Sequence, residues 1–169
     1  MLRGKYNIYM YKITLLSLNL GPCSMVFDRI AYIQSVCLPD DDPVTYQENS
    51  EGYWYVVYGP SSKIVAFALM VQSQQWIDAV YMSRCCVLPQ HRGKALQKRL
   101  LYARERLARS KNYNWSITDT CENPASGNSL IKCGYRLFTP SNPWGLKNSI
   151  YWSKNLNAVQ RSRVTKKKK

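Results

Sequence analysis

Two hydrophobic rhythms run along this chain, and the points where one gives way to the other mark its elements. Residues 6–15 are apolar and β-prone, which predicts a first strand, and residues 25–36 carry apolar positions at helical spacing. An acidic loop bounded by prolines, Pro39-Asp40-Asp41-Asp42-Pro43, then leads towards a hairpin. Its first arm, residues 53–58, is aromatic and β-branched, and Gly59-Pro60-Ser61-Ser62 supplies the turn. Residues 63–72 are almost continuously apolar, the pattern of a strand covered on both faces. Residues 76–87 read as one further strand. Downstream, Leu96, Leu100, Ala103 and Leu107 recur at helical spacing. A strand at 114–121, a short helix near 125–133 and strands at 135–139 and 149–153 complete the pattern. This order predicts one α+β domain over residues 1–159, a mixed, mostly antiparallel sheet flanked by helices, with no internal repeat.

Composition narrows the class. With 169 residues, 46% hydrophobic and 12% aromatic, the chain can bury one real core. No apolar run reaches the length of a membrane span. Arg3, Lys5 and the apolar residues 13–18 give the N-terminus some signal-peptide character, but Asn7 and Lys12 interrupt it and no small-residue cleavage site follows. The six cysteines never occur as Cys-x-x-Cys, and with a single histidine they predict no metal site. Cys85 and Cys86 are strand neighbours pointing to opposite faces, and the thiols read as reduced, in a cytoplasmic protein.

The net charge of +14 divides unevenly. Residues 160–169 hold six positive charges and no acid, a basic tail predicted to be disordered, which leaves +8 for residues 1–159. The tail reads as a solvated end, with contact to nucleic acid as the alternative. Six of the ten acids, Asp28, Asp40, Asp41, Asp42, Glu48 and Glu51, lie between residues 28 and 51. They form either ordinary turns or an acidic rim that draws in a cationic amine.

The sharpest local signal is Val87-Leu88-Pro89-Gln90-His91-Arg92-Gly93-Lys94-Ala95, which joins a strand end to a helix start. Gly93 permits close backbone approach, Ala95 adds little bulk, and the first helical turn presents unpaired N–H groups and a positive dipole end. Arg92 and Lys94 add full charges. The stretch suits a pyrophosphate. It lacks the Gly-Lys-Ser/Thr ending of nucleotide triphosphatases and the three glycines of dinucleotide-binding folds.

Gln90-x-x-Gly93-x-Ala95, preceded by Val87-x-Pro89, resembles motif A of the GNAT family of N-acetyltransferases. At the spacing that family uses, Asn123-x-x-Ser126-x-x-x-Leu130-x-Lys132-x-Gly134-Tyr135 resembles its second signature. The resemblance implies an acetyl-CoA-dependent N-acetyltransferase with that family's fold. It implies that Cys85, Cys86 and Val87 offer backbone groups to the pantetheine arm, and that the loop amides of His91, Arg92, Gly93, Lys94 and Ala95 hold the pyrophosphate, with Gln90 also among the cofactor-binding residues. Asn123 matches a side-chain contact to the cofactor, with Ser126 and Asn128 as weaker candidates, since Asn-Pro-Ala-Ser is also a helix N-cap sequence.

Catalysis is less legible. Many relatives place a tyrosine acid seven residues after the motif's asparagine, where this chain has Leu130. Tyr81 and Tyr135 are the substitutes by location, and Asp78 and Glu122 are candidate bases. A lysine-like amine costs about 4.6 kcal/mol to neutralise at pH 7 and an α-amine about 1.1. Without an evident strong base, a protein N-terminus or a multiply charged small amine is the easier acceptor. A non-catalytic relative that binds acyl-CoA or a protein partner, and a basic nucleic-acid-binding module, are the rival readings.

Overall fold

The apolar run becomes the structural centre. The computed structural model describes residues 10–16, 25–42 and 51–157. Among these residues the chain forms eight strands and three α-helices in the order β1 (Lys12–Leu15), α1 (Met25–Cys37), β2 (Tyr53–Tyr58), β3 (Ile64–Gln72), β4 (Ala79–Tyr81), β5 (Cys85–Val87), α2 (Leu96–Ser110), β6 (Trp115–Cys121), α3 (Pro124–Lys132), β7 (Arg136–Phe138) and β8 (Ser149–Asn155). They build an open α+β sheet of order β1-β2-β3-β4-β6-β8-β7, antiparallel except for the parallel pair β4 and β6. The first predicted strand is described only from its C-terminal part, and residues 6–9 lie outside the described residues, as do the tail, Cys23, Pro43 and Glu48.

β3 is buried from Ile64 to Met70 because helices cover both its faces. On one side Ile30 and Ile33 of α1 join Trp54 and Phe67, and on the other Leu100 and Ala103 of α2 lie over the Tyr55 side, where the Tyr55 hydroxyl donates to the Ala103 carbonyl. Each fully buried aliphatic or aromatic side chain contributes roughly 1.5–3 kcal/mol. α3 shares the face of α2, with Leu130 and Cys133 packed among Leu101, Met70, Val80 and Trp152. α3 ends where Gly134, at φ 88°, takes the left-handed conformation that lets the Tyr135 N–H reach the Leu130 carbonyl.

The single strand expected over residues 76–87 is two strands. Three residues, Met82, Ser83 and Arg84, separate the paired positions Tyr81 and Cys85, whereas only Leu69 and Met70 separate their partners Ala68 and Val71. This extra residue is a β-bulge. Met82 still donates to the Ile117 carbonyl, and its own carbonyl accepts from Thr118 Oγ1, but β5 beyond it stays with β3 while β6 turns to β8. The sheet therefore forks between β5 and β6. Hydrophobic pattern alone does not reveal a bulge, since it counts apolar residues and not strand partners.

Candidate active site

Alternation along β5 decides which backbone groups face the fork. The Arg84 carbonyl and the Leu88 N–H bond to β3, and Cys86 pairs with Phe67, so the intervening Cys85 and Val87 turn their N–H and C=O groups the other way. The Val87 carbonyl is already engaged by Arg92 Nε at 3.1 Å and Cys37 Sγ at 3.4 Å. Cys85 faces the α2 side and Cys86 the α1 side, and burial pushes both thiols up, which keeps them protonated.

β5 runs into a 3₁₀ turn at Pro89–His91, closed by the His91 N–H on the Leu88 carbonyl and the Arg92 N–H on the Pro89 carbonyl. Gly93 then takes φ 73° and Ala95 φ 56° before α2 begins. A left-handed alanine is strained, and two left-handed residues around a helix start curl the backbone into a concavity lined by N–H groups. The first bond of α2 is Arg99 N–H to the Ala95 carbonyl, so the N–H groups of Leu96, Gln97 and Lys98 lie in the orphan first turn. A Cβ built at Gly93 meets nothing within 4 Å, so the mouth is open. Lys94 turns towards Tyr11, donating to its hydroxyl at 2.8 Å, and the same hydroxyl bonds His91 Nδ1 at 3.1 Å. Desolvation, with Lys94 and Arg29 nearby, lowers the proton affinity of His91 below that of an ordinary histidine. Its ring is thus a neutral partner of Tyr11, while Gln90 and Arg92 are both exposed.

The second motif meets the first. Gln97 Nε2 donates to Ser126 Oγ at 2.8 Å, which brings the N-terminus of α3 against that of α2. Asn123 Oδ1 accepts the Ser126 N–H at 3.0 Å, so Asn123 is the N-cap of α3 and offers its exposed Nδ2 outward. Asn128 is exposed one turn along.

The catalytic candidates separate. Tyr81 lies beside the fork, half-buried, and donates to Asp119 Oδ1 at 2.6 Å; burial, then Asp119, raises its phenol well above the ordinary range. Tyr135 is buried in the α2/α3 core, its hydroxyl bonded to Ser116 Oγ at 2.6 Å, and burial pushes its proton affinity far up. Asp78 is exposed before β4, at the end of the strand away from the fork, where Asn114 Nδ2 donates to it. The structure therefore brings neither Tyr135 nor Asp78 to the fork. Leu130 is buried 7% exposed in the same core as Tyr135, and Glu122 is exposed and bonded to Asn148.

The fork has a carboxylate that was not anticipated. Asp119 sits on β6 in a row with Trp115 and Ile117, all facing away from α2. An acid on the otherwise apolar stripe Trp115-x-Ile117-x-Asp119 was the available signal. Nearby, Arg84 in the bulge donates to the Asp42 carbonyl and pairs with Asp41 at 3.8 Å, which puts part of the acidic loop on this same face.

The chain matches the model of the Acetyltransferase (GNAT) family over residues 25–135. In structure it is similar to an acetyltransferase of the GNAT family from Staphylococcus aureus, with TM-score 0.67, 12% identity, and 86% of this chain and 99% of that one covered. It is similar to the ribosomal-protein-S18-alanine N-acetyltransferase from Escherichia coli at TM-score 0.66 and 14% identity over 87% and 94%. An acetyltransferase from Bacillus subtilis in complex with CoA gives TM-score 0.66 and 11% identity over 86% and 98%. At these identities the likeness is one of fold. No curated protein matches the chain in sequence.

Proposed function

Because the chain belongs to the acetyltransferase (GNAT) family, we propose that it transfers the acetyl group of acetyl-CoA to a primary amine, working in the cytoplasm. The observation that carries this reading is the placement, around one loop, of the outward-facing backbone groups on the free edge of β5, the left-handed turn at Gly93 and Ala95, and the orphan N–H groups in the first turn of α2. Cys85 and Val87 are suited to line the pantetheine arm, and the amides from Gly93 to Lys98 to hold the pyrophosphate. Asn123 Nδ2 and the Gln97–Ser126 link close the site from α3. The thioester supplies an electrophilic carbonyl when bound, and the chain supplies orientation at the fork. Burial and the Asp119 carboxylate hold the Tyr81 proton, which favours solvent, or the proton that the amine nitrogen carries after attack, as the source for the departing thiolate.

Thiol release from acetyl-CoA, measured with a panel of primary amines, tests the reading. Amine-dependent release above the rate of hydrolysis supports it. Binding of acetyl-CoA without turnover of any amine would leave only a ligand-binding member of the family. Five cysteines, Cys37, Cys85, Cys86, Cys121 and Cys133, are free among the described residues, in keeping with a reducing compartment. Among those residues no helix is long and apolar enough to cross a membrane.

A further inference from the structure

Asp119 lies at the centre of a small cluster on the face opposite α2. Its Oδ1 accepts from the Tyr81 hydroxyl at 2.6 Å and its Oδ2 from Ser149 Oγ at 3.0 Å, both neutral donors. Among the described residues no Lys, Arg or His lies within ion-pair distance of this carboxylate. A half-buried carboxylate held by neutral donors is a fitting partner for a cation on an incoming molecule. A carboxylate has about four lone-pair sites, and two remain after these donors.

Rings wall the cluster. Tyr151 is the direct cross-strand partner of Asp119, and Trp144 packs on Tyr151 at 4.5 Å between centroids, with Phe138 at 6.1 and 6.2 Å from the two. The loop between β7 and β8 closes the top. The Gly145 N–H donates to the Tyr151 hydroxyl at 2.9 Å, and a Cβ at Gly145 would stand 2.7 Å from Asp119 Oδ2. The Trp144 indole N–H is buried there and interacts with the Tyr81 hydroxyl. Fixed negative charge among aromatic rings favours a cation, and the close loop cover suits a slim alkylammonium better than a bulky one.

Resting on the acyl-transfer reading, we propose that Asp119 binds a second positive charge on the acceptor, so that the preferred acceptor is an aliphatic diamine or polyamine. The ammonium held there is not the nucleophile. An ion pair stabilises the protonated amine, whereas the attacking nitrogen must be neutral. Anchoring one end at Asp119 instead positions the other amine at the fork beside Tyr81. Tyr81 and Ser149 are positioning residues that orient the two carboxylate oxygens.

The experiment compares 1,4-diaminobutane with 1-aminobutane on the full chain, by kcat/KM from thiol release and by calorimetric titration of each amine. The diamine is expected to exceed the monoamine at least tenfold in kcat/KM. Asp119→Asn, nearly isosteric, erases that preference mainly through KM, and Ser149→Ala weakens it in part, with melting temperatures followed throughout. Equal use of both amines, a preference that survives in Asp119→Asn, or stronger use of a peptide N-terminus overturns the assignment. If acetyl-CoA does not bind, the acyl-transfer reading fails by itself, and calorimetry still decides on Asp119: tighter diamine binding lost in Asp119→Asn supports it, and equal weak binding overturns it.

Discussion

At the scale of single residues, burial separates the two tyrosines that sequence position treated alike. Tyr135→Phe removes a hydroxyl from Ser116 inside the core, so it should cost about 1 kcal/mol of stability and leave turnover within about twofold. Tyr81→Phe frees Asp119 Oδ1 at the fork and should raise the acceptor KM with kcat largely kept. A kcat loss of about a hundredfold in Tyr81→Phe would instead make it the proton donor. Leu130→Tyr brings an extra ring and hydroxyl into the packed group of Leu101, Trp152 and Cys133. It should lower stability by roughly 1–3 kcal/mol and give no gain in rate, as thermal melting beside turnover will show. Spacing could align Leu130 with a family position but could not tell whether that position faces the fork or the core. Asp119 went unread for a related reason: its meaning depends on Tyr81 and Ser149, which reach it from other strands.

At the scale of elements, helix α2 carries both the phosphate-facing turn and a buried charge. Glu105 is 1% exposed and receives Lys154 Nζ at 2.7 and 2.8 Å on its two oxygens, with Arg109 at 3.3 Å. Lys154 lies on β8, so the pair ties α2 to the far half of the sheet. Lys154→Met leaves a buried carboxylate with a half-exposed arginine and the Tyr135 hydroxyl beside it and should cost about 3 kcal/mol in denaturant unfolding. A change under 0.5 kcal/mol would show that Arg109 compensates. The existence and type of nearly every element were legible from periodicity, because α2, β3 and β6 keep one rhythm over their length. The break between β4 and β5 was not, since the bulge depends on what β3 and β6 each bond. The fork, and with it the candidate site, follows from that break. The Glu105 contact was equally hidden: an acid among Arg104, Arg106 and Arg109 reads as a solvated face until Lys154 arrives from 49 residues away.

At the scale of the whole molecule, the two motifs converge through Gln97 and Ser126, and the spacing that linked them in sequence corresponds to two helix N-termini in contact. The basic tail lies outside the described residues. Deleting residues 160–169 should leave acetyl transfer within about twofold while weakening any salt-sensitive retention on DNA, measurable on a heparin or oligonucleotide column. A tenfold loss of rate would give the tail a part in the reaction. The central claim is that the turn at Gly93 and Ala95 holds the phosphates of acetyl-CoA. Calorimetric titration of acetyl-CoA into the parent chain and Gly93→Asp tests it most directly. Aspartate tolerates the left-handed conformation better than most residues, and its Cβ meets no neighbour within 4 Å, so the fold should survive. A saturable interaction in the parent that falls at least a hundredfold in Gly93→Asp, at nearly unchanged melting temperature, is the predicted result; equal affinity in the two proteins would contradict it.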